Sequence, residues 1–139
     1  MPLRSSPTAS LHARILLVDG NLSGLAARKS VLEELGHKTR CASSAADALE
    51  QLASQKFDLV VTGAPELVRR IRKQDEDIPI VLLSGFVDAL GLNEETTGAD
   101  AVIQKSANEV SHLVRAVARL LRRKKPPAKA VAKAKRQAV

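Results

Sequence analysis

The sequence predicts an α/β fold, a five-stranded parallel sheet with helices on both faces. Three observations predict it. The stretch Phe57 to Gly63 (FDLVVTG) has a continuous apolar core in Leu59, Val60 and Val61, which reads as a strand covered on both faces and therefore as the middle of the sheet. Short apolar runs alternate along the chain with segments whose apolar residues recur at helical spacing. The links between them are short, as right-handed crossovers between parallel strands require.

In chain order, the first element is Ala13 to Val18 (ARILLV), a strand stopped by Asp19, Gly20 and Asn21. Asn21 or Ser23 caps the helix that follows, in which Leu22, Leu25, Ala26, Val31, Leu32 and Leu35 recur until Gly36 ends it. His37 to Ala42 (HKTRCA) is a second strand, polar enough for a sheet edge. Ser43 or Ser44 caps a helix with Ala45, Ala48, Leu49 and Leu52 on its buried face, ending near Gln55 before the central strand. After the Gly63 turn come a helix over Glu66 to Lys73 and a strand over Ile78 to Leu83. A poorly patterned fourth helical segment within Phe86 to Thr97 precedes a strand around Ala101 to Ile103 and a helix over Asn108 to Arg123. This last helix is the best patterned, with Val110, Leu113, Val114, Val117, Leu120 and Leu121 on one face and arginines mostly on the other. The order is that of a flavodoxin-like fold.

The 139 residues, 45% of them hydrophobic, make one domain with a single core. Residues 1–12 read as a disordered leader, 13–121 as the domain and 122–139 as a basic tail rich in Lys, Ala and Pro. The tail holds eight of the 22 basic residues, Arg122, Arg123, Lys124, Lys125, Lys129, Lys133, Lys135 and Arg136, and none of the 15 acidic ones. Attraction to polyanions therefore resides there, and DNA, an acidic protein or an anionic membrane surface would all be served by the same charge. Phe57 and Phe86 are the only aromatic residues, which argues against base stacking. A single cysteine, Cys41, excludes an internal disulfide and suits a reducing, cytoplasmic setting, and no apolar run is long enough for a signal peptide or a membrane span.

Four motifs carry a family resemblance: ILLVDGN after the first strand, DALEQLASQKFDLVV into the third, LVRRIRKQDEDIPIVLLSG across the fourth and GADAVIQKS at the fifth. Over residues 13–121 the chain resembles the receiver domain of bacterial response regulators, the phosphorelay modules of two-component signalling. In that family an acidic pair after the first strand holds Mg²⁺, and an Asp ending the third strand accepts a phosphoryl group. A Ser or Thr and a Lys after the fourth and fifth strands bind its oxygens. By position, Asp19 matches the first acid, Ser84 the switch hydroxyl and Lys105 the lysine. Gly63 stands where the resemblance places the phosphoacceptor, and Gly20 where it places the second acid. Ala64 and Pro65 replace the usual loop after the third strand, Val102 takes the place of the switch aromatic, and Ser106 that of a proline after the lysine.

The resemblance thus implies a stand-alone pseudo-receiver that acts by protein contact, without aspartyl phosphorylation, metal or other cofactor. A sensor kinase or downstream signalling protein is the expected partner, met on the face of the fourth and fifth strands and last helix, with the chain a monomer or weak homodimer. The alternative is a nucleic-acid-associated protein that binds DNA without sequence preference through its tail. Asp19, Ser84 and Lys105 read either as a residual anion pocket or as polar loop ends of an inherited scaffold. An enzymatic role is not expected, because no nucleophile and base, carboxylate pair or metal cluster can be assembled. Cys41 reads as a buried small hydrophobe, His12, His37 and His112 as lacking ligand spacing, and Arg115 and Arg119 as a solvated face.

Overall fold

The computed structural model describes residues 12–124. Its elements are β1 (Arg14–Val18), α1 (Leu22–Glu34), β2 (Lys38–Ala42), α2 (Ala45–Ser54), β3 (Leu59–Thr62), α3 (Pro65–Gln74), β4 (Ile80–Ser84), α4 (Val87–Leu90), α5 (Glu94–Thr97), β5 (Ala101–Gln104) and α6 (Glu109–Lys124). Every strand pairing is parallel, and the order β2-β1-β3-β4-β5 puts β3 in the centre and β2 at an edge, as the apolar and polar runs predict.

Period-two alternation along the strands divides the core into two layers. Ile15, Leu17, Leu59, Val61, Val81 and Leu83 pack against α1 and α6 through Leu25, Leu32, Leu113, Val117 and Leu120. Leu16, Val18, Val60, Ile80 and Leu82 point the other way, against Ala48 of α2 and Leu67, Val68 and Ile71 of α3. Each such Val, Leu or Ile side chain, fully buried, contributes about 1.5–3 kcal/mol.

Helix starts follow their chemistry. The Asn21 side chain accepts the Gly24 N–H and Ser44 that of Asp47, while Pro65 opens α3 without a side-chain cap. Gly36, at φ +99, ends α1 in the left-handed region that glycine alone enters without strain.

Four expectations need correction. Leu22 and Leu35 do not join the core: they are 70% and 40% exposed, and the buried stripe of α1 is Leu25, Arg28 and Leu32. The helix rotates so that a charged residue faces inward, because carboxylates wait for it there. Cys41 is exposed, not buried, since β2 is an edge strand whose outer positions lie open. The fourth helical segment is two single turns, α4 and α5, divided by Gly91 at φ +64, with Phe86 and Leu90 each 65% exposed. Finally, the strand expected over Ile78 to Leu83 begins at Ile80, because Pro79 offers no N–H to the sheet. Most of the residues 1–12 leader, and Lys125, Lys129, Lys133, Lys135 and Arg136 of the tail, lie outside the described residues.

Candidate functional site

Parallel strands deliver their carboxyl ends to one edge of the sheet, and residues beyond those ends share a crevice. Here β1 delivers Asp19, β3 Thr62 and Gly63, β4 Ser84 and β5 Lys105, around a pocket of about 290 Å³. The structure thus brings Asp19, Ser84 and Lys105 into one pocket, with Gly63 on its wall.

Asp19 is the hub. Its Oδ1 accepts the Asn21 N–H at 2.9 Å, and its Oδ2 accepts Lys105 Nζ at 2.9 Å and Arg28 Nη1 at 3.0 Å. Arg28 also donates to Glu109 Oε2 at the start of α6, from Nη2 at 3.2 Å. The Arg28 side chain is only 5% exposed, against 13% for Asp19 and 21% for Glu109. Burial opposes ionisation of Asp19, but the Asn21 N–H, Lys105 and Arg28 outweigh it and hold the carboxyl below its ordinary value of 3.8. Two carboxylates and two cations leave this cluster near neutrality.

The hydroxyls are drawn into their own loops. Thr62 Oγ1 accepts the Ala64 N–H at 3.1 Å, and Ser84 Oγ accepts the Phe86 N–H at 3.0 Å. Gln104 stiffens the same rim, donating from Nε2 to the Gly85 carbonyl at 2.9 Å and accepting the Asp88 N–H at 3.0 Å. Gly63 approaches the neighbouring strand closely, so that a Cβ there would stand 3.0 Å from the Leu83 carbonyl oxygen, whereas one at Gly20 would meet nothing within 4 Å.

A divalent cation does not fit these residues. Mg²⁺ takes one or two carboxylates in near-octahedral oxygen geometry. The one carboxylate at the end of β1 has both oxygens engaged by N–H donors, two of them cationic and about 3 Å away, and Gly20 adds no oxygen side chain. The histidines take no part: the His12 and His37 rings meet edge to face at 6.3 Å beside Gly36, and His112 lies on α6.

Arg28 is the residue that sequence reasoning missed. Its signal was present, since Leu25, Arg28 and Leu32 are spaced by three and four and so lie on one helix stripe. A cation on a buried stripe requires carboxylate partners.

A domain in which an acid, a hydroxyl and a lysine stand at the carboxyl ends of three strands of one parallel sheet, β1, β4 and β5, admits a direct comparison. The family model described as response regulator receiver domain matches residues 15–118. The chain belongs to that family. As a receiver domain it is a module of two-component signalling. Solved receiver proteins agree in fold. A response regulator receiver protein from Sinorhizobium medicae is 28% identical, with TM-score 0.70 over 82% of this chain and 98% of that one. The response regulator TrrA of Thermotoga maritima, solved in complex with Mg²⁺-BeF, is 27% identical, with TM-score 0.64 over 75% of this chain and 97% of that one. A CheY-like receiver domain protein from Methanospirillum hungatei, 23% identical with TM-score 0.73, covers 82% of this chain and 97% of that one and shares the fold. No curated protein matches the sequence closely enough to count as a relative. Among the described residues no helix is long and apolar enough to cross a membrane.

Proposed function

We propose that this receiver domain signals by protein contact and without aspartyl phosphorylation. The observation that carries the reading is the neutralised cluster at the end of β1, where Asp19 is held by Lys105 and the buried Arg28. Phosphoryl transfer to a receiver needs a nucleophilic carboxylate and a cation shared with the phosphoryl oxygens. Gly63 supplies no nucleophile at the end of β3, and Lys105 is committed to Asp19 at 2.9 Å. With no assembled nucleophile and base, the domain acts as a binding module and not as an enzyme. The face of β4, β5 and α6 is the docking surface in this reading, and a signalling protein is its partner. The test is intact mass after incubation with Mg²⁺ and a small acyl phosphate. An unchanged mass is expected; a phosphoryl adduct on any Asp overturns the reading.

A second reading concerns the basic residues of positions 122–139, eight cations with no acid among them. Such a segment suits sequence-independent contact with nucleic acid, because lysine and arginine neutralise phosphates without reading bases.

A further inference from the structure

Among the described residues no ion pair meets Arg115, Arg119 or Arg122 of the last helix. Arg115, Arg119 and Arg122 are exposed, follow one another on α6 at steps of four and three residues, and line a groove of about 490 Å³ beside Val102 and Ile103 of β5. At about 1.5 Å of rise per residue, the row is about 10 Å long. Buried or half-buried Arg28 and Arg72 pair with carboxylates, but none of these three does so among the described residues. Nor can an undescribed carboxylate side chain neutralise them, because all 15 acidic residues lie between Asp19 and Glu109. Glu94 of α5 is the single acid in the groove wall. From Val110 to Val139 the chain carries ten basic residues and no acid.

We propose that this groove, lined by Arg115, Arg119 and Arg122, binds the phosphate backbone of duplex DNA. The inference rests on the nucleic-acid reading of residues 122–139 and places part of the contact on the folded domain. Guanidinium forks match phosphate oxygens bidentately, and they sit here on a rigid helix of 16 residues. The groove has no Phe, Tyr or Trp, and His112 is the one ring in its lining, a poor platform for a run of single-stranded bases. A row of three guanidinium groups about 10 Å long fits a partner whose negative charges repeat along a line, as the phosphates of a duplex strand do. Contacts of this kind fix position and not sequence.

Fluorescence anisotropy with a labelled duplex of mixed sequence, over a series of salt concentrations, tests it in the full chain. Each phosphate neutralised contributes about −0.9 to the slope of log K against log salt. Arg115→Gln/Arg119→Gln/Arg122→Gln should flatten the slope by about 2–3, Arg119→Gln alone by about 0.9, and the matching triple Lys variant hardly at all. Circular dichroism melting checks that the variants fold. A wild-type slope in the triple Gln variant overturns the groove. If binding disappears only on Lys129→Gln/Lys133→Gln/Lys135→Gln/Arg136→Gln, the segment alone is the arm and the groove is again overturned. Tighter binding of a poly-glutamate peptide than of the duplex, abolished by the triple Gln variant, overturns DNA in favour of an acidic protein. The phosphodonor experiment is independent of every one of these outcomes.

Discussion

Arg28 shows how one side chain decides what the pocket can do. Its guanidinium lies between Asp19 at 3.0 Å and Glu109 at 3.2 Å and ties β1, α1 and α6 together at the end of the sheet where ligands would enter. Replacing a buried pair by apolar groups can be neutral, but removing one partner strands the other. Arg28→Met leaves two carboxylates short of a cation and should cost about 3 kcal/mol in urea unfolding. Arg28→Met/Asp19→Asn should recover part of that loss, and a double-mutant cycle gives the coupling; strict additivity would sink the account. Asp19 also sets an acid limit. Its folded pKa lies below the ordinary 3.8, so the unfolded chain takes up the proton first as pH falls. The stabilisation is therefore complete well above pH 3.8 and is lost as pH drops through the folded pKa. Asp19→Asn should show a shallower loss of stability on acidification, and an identical pH profile in the two proteins would contradict this. Asp19 and Lys105 were placed together from sequence, but the contacts of Arg28 were not, because Asp19 and Glu109 are 9 and 81 residues from it and only the fold brings them together. The helical stripe pointed to a buried cation without pointing to its partners.

At the scale of elements, the stretch between β4 and β5 is where sequence patterning ran out. Two four-residue helices replace one longer helix because Gly91 breaks the first and the second has only a local capping box, Asn93 with Thr96, to hold it. Burial there is confined to Thr97 and Ala99 at its end, with Leu92 half-buried against the core, and no apolar stripe exists for periodicity to reveal. What anchors the segment is a long-range contact invisible to local rules. Arg72 of α3 donates to the Gly98 carbonyl at 2.9 Å and the Ile78 carbonyl at 2.7 Å, and pairs with Asp100 at 2.7 Å. Asp100 in turn accepts the Ile80 N–H at 2.8 Å, so one ion pair fastens the entry to β4 and the entry to β5. Arg72→Ala orphans these acceptors and should destabilise by about 1–3 kcal/mol. Hydrogen exchange should then rise first at Gly98 and Asp100. If exchange rises uniformly across the sheet instead, Arg72 contributes only to global stability and fastens no local segment.

For the molecule as a whole, the parallel sheet was legible because its central strands are buried on both sides. LVV in β3 and IVLL in β4 leave no polar position for a half-exposed strand, and Asn21, Ser44 and Gly36 mark helix ends by local chemistry. The site was legible as a set of residues, since position along a known topology places Asp19, Ser84 and Lys105 at one edge, but its charge state was not. That state follows from a cation arriving from the side of α1, and it yields a prediction about the whole pocket. Gly20→Asp has room, with nothing within 4 Å of the new Cβ, whereas Gly63→Asp sets its Cβ 3.0 Å from the Leu83 carbonyl oxygen and requires a small shift of β4. Together they would add two carboxylates beside Asp19, enough oxygen for a divalent cation if charge were all that mattered. Arg28 and Lys105 would still hold Asp19 Oδ2 at 3.0 and 2.9 Å, and a fixed guanidinium repels an incoming dication in a half-buried site. The Gly20→Asp/Gly63→Asp protein should therefore bind Mg²⁺ weakly by calorimetric titration, and the addition of Arg28→Met should tighten binding by about tenfold or more, a coupling of about 1.4 kcal/mol. If Arg28→Met leaves the affinity of the doubly substituted protein unchanged, Arg28 is a strut between helices and has no part in excluding the metal.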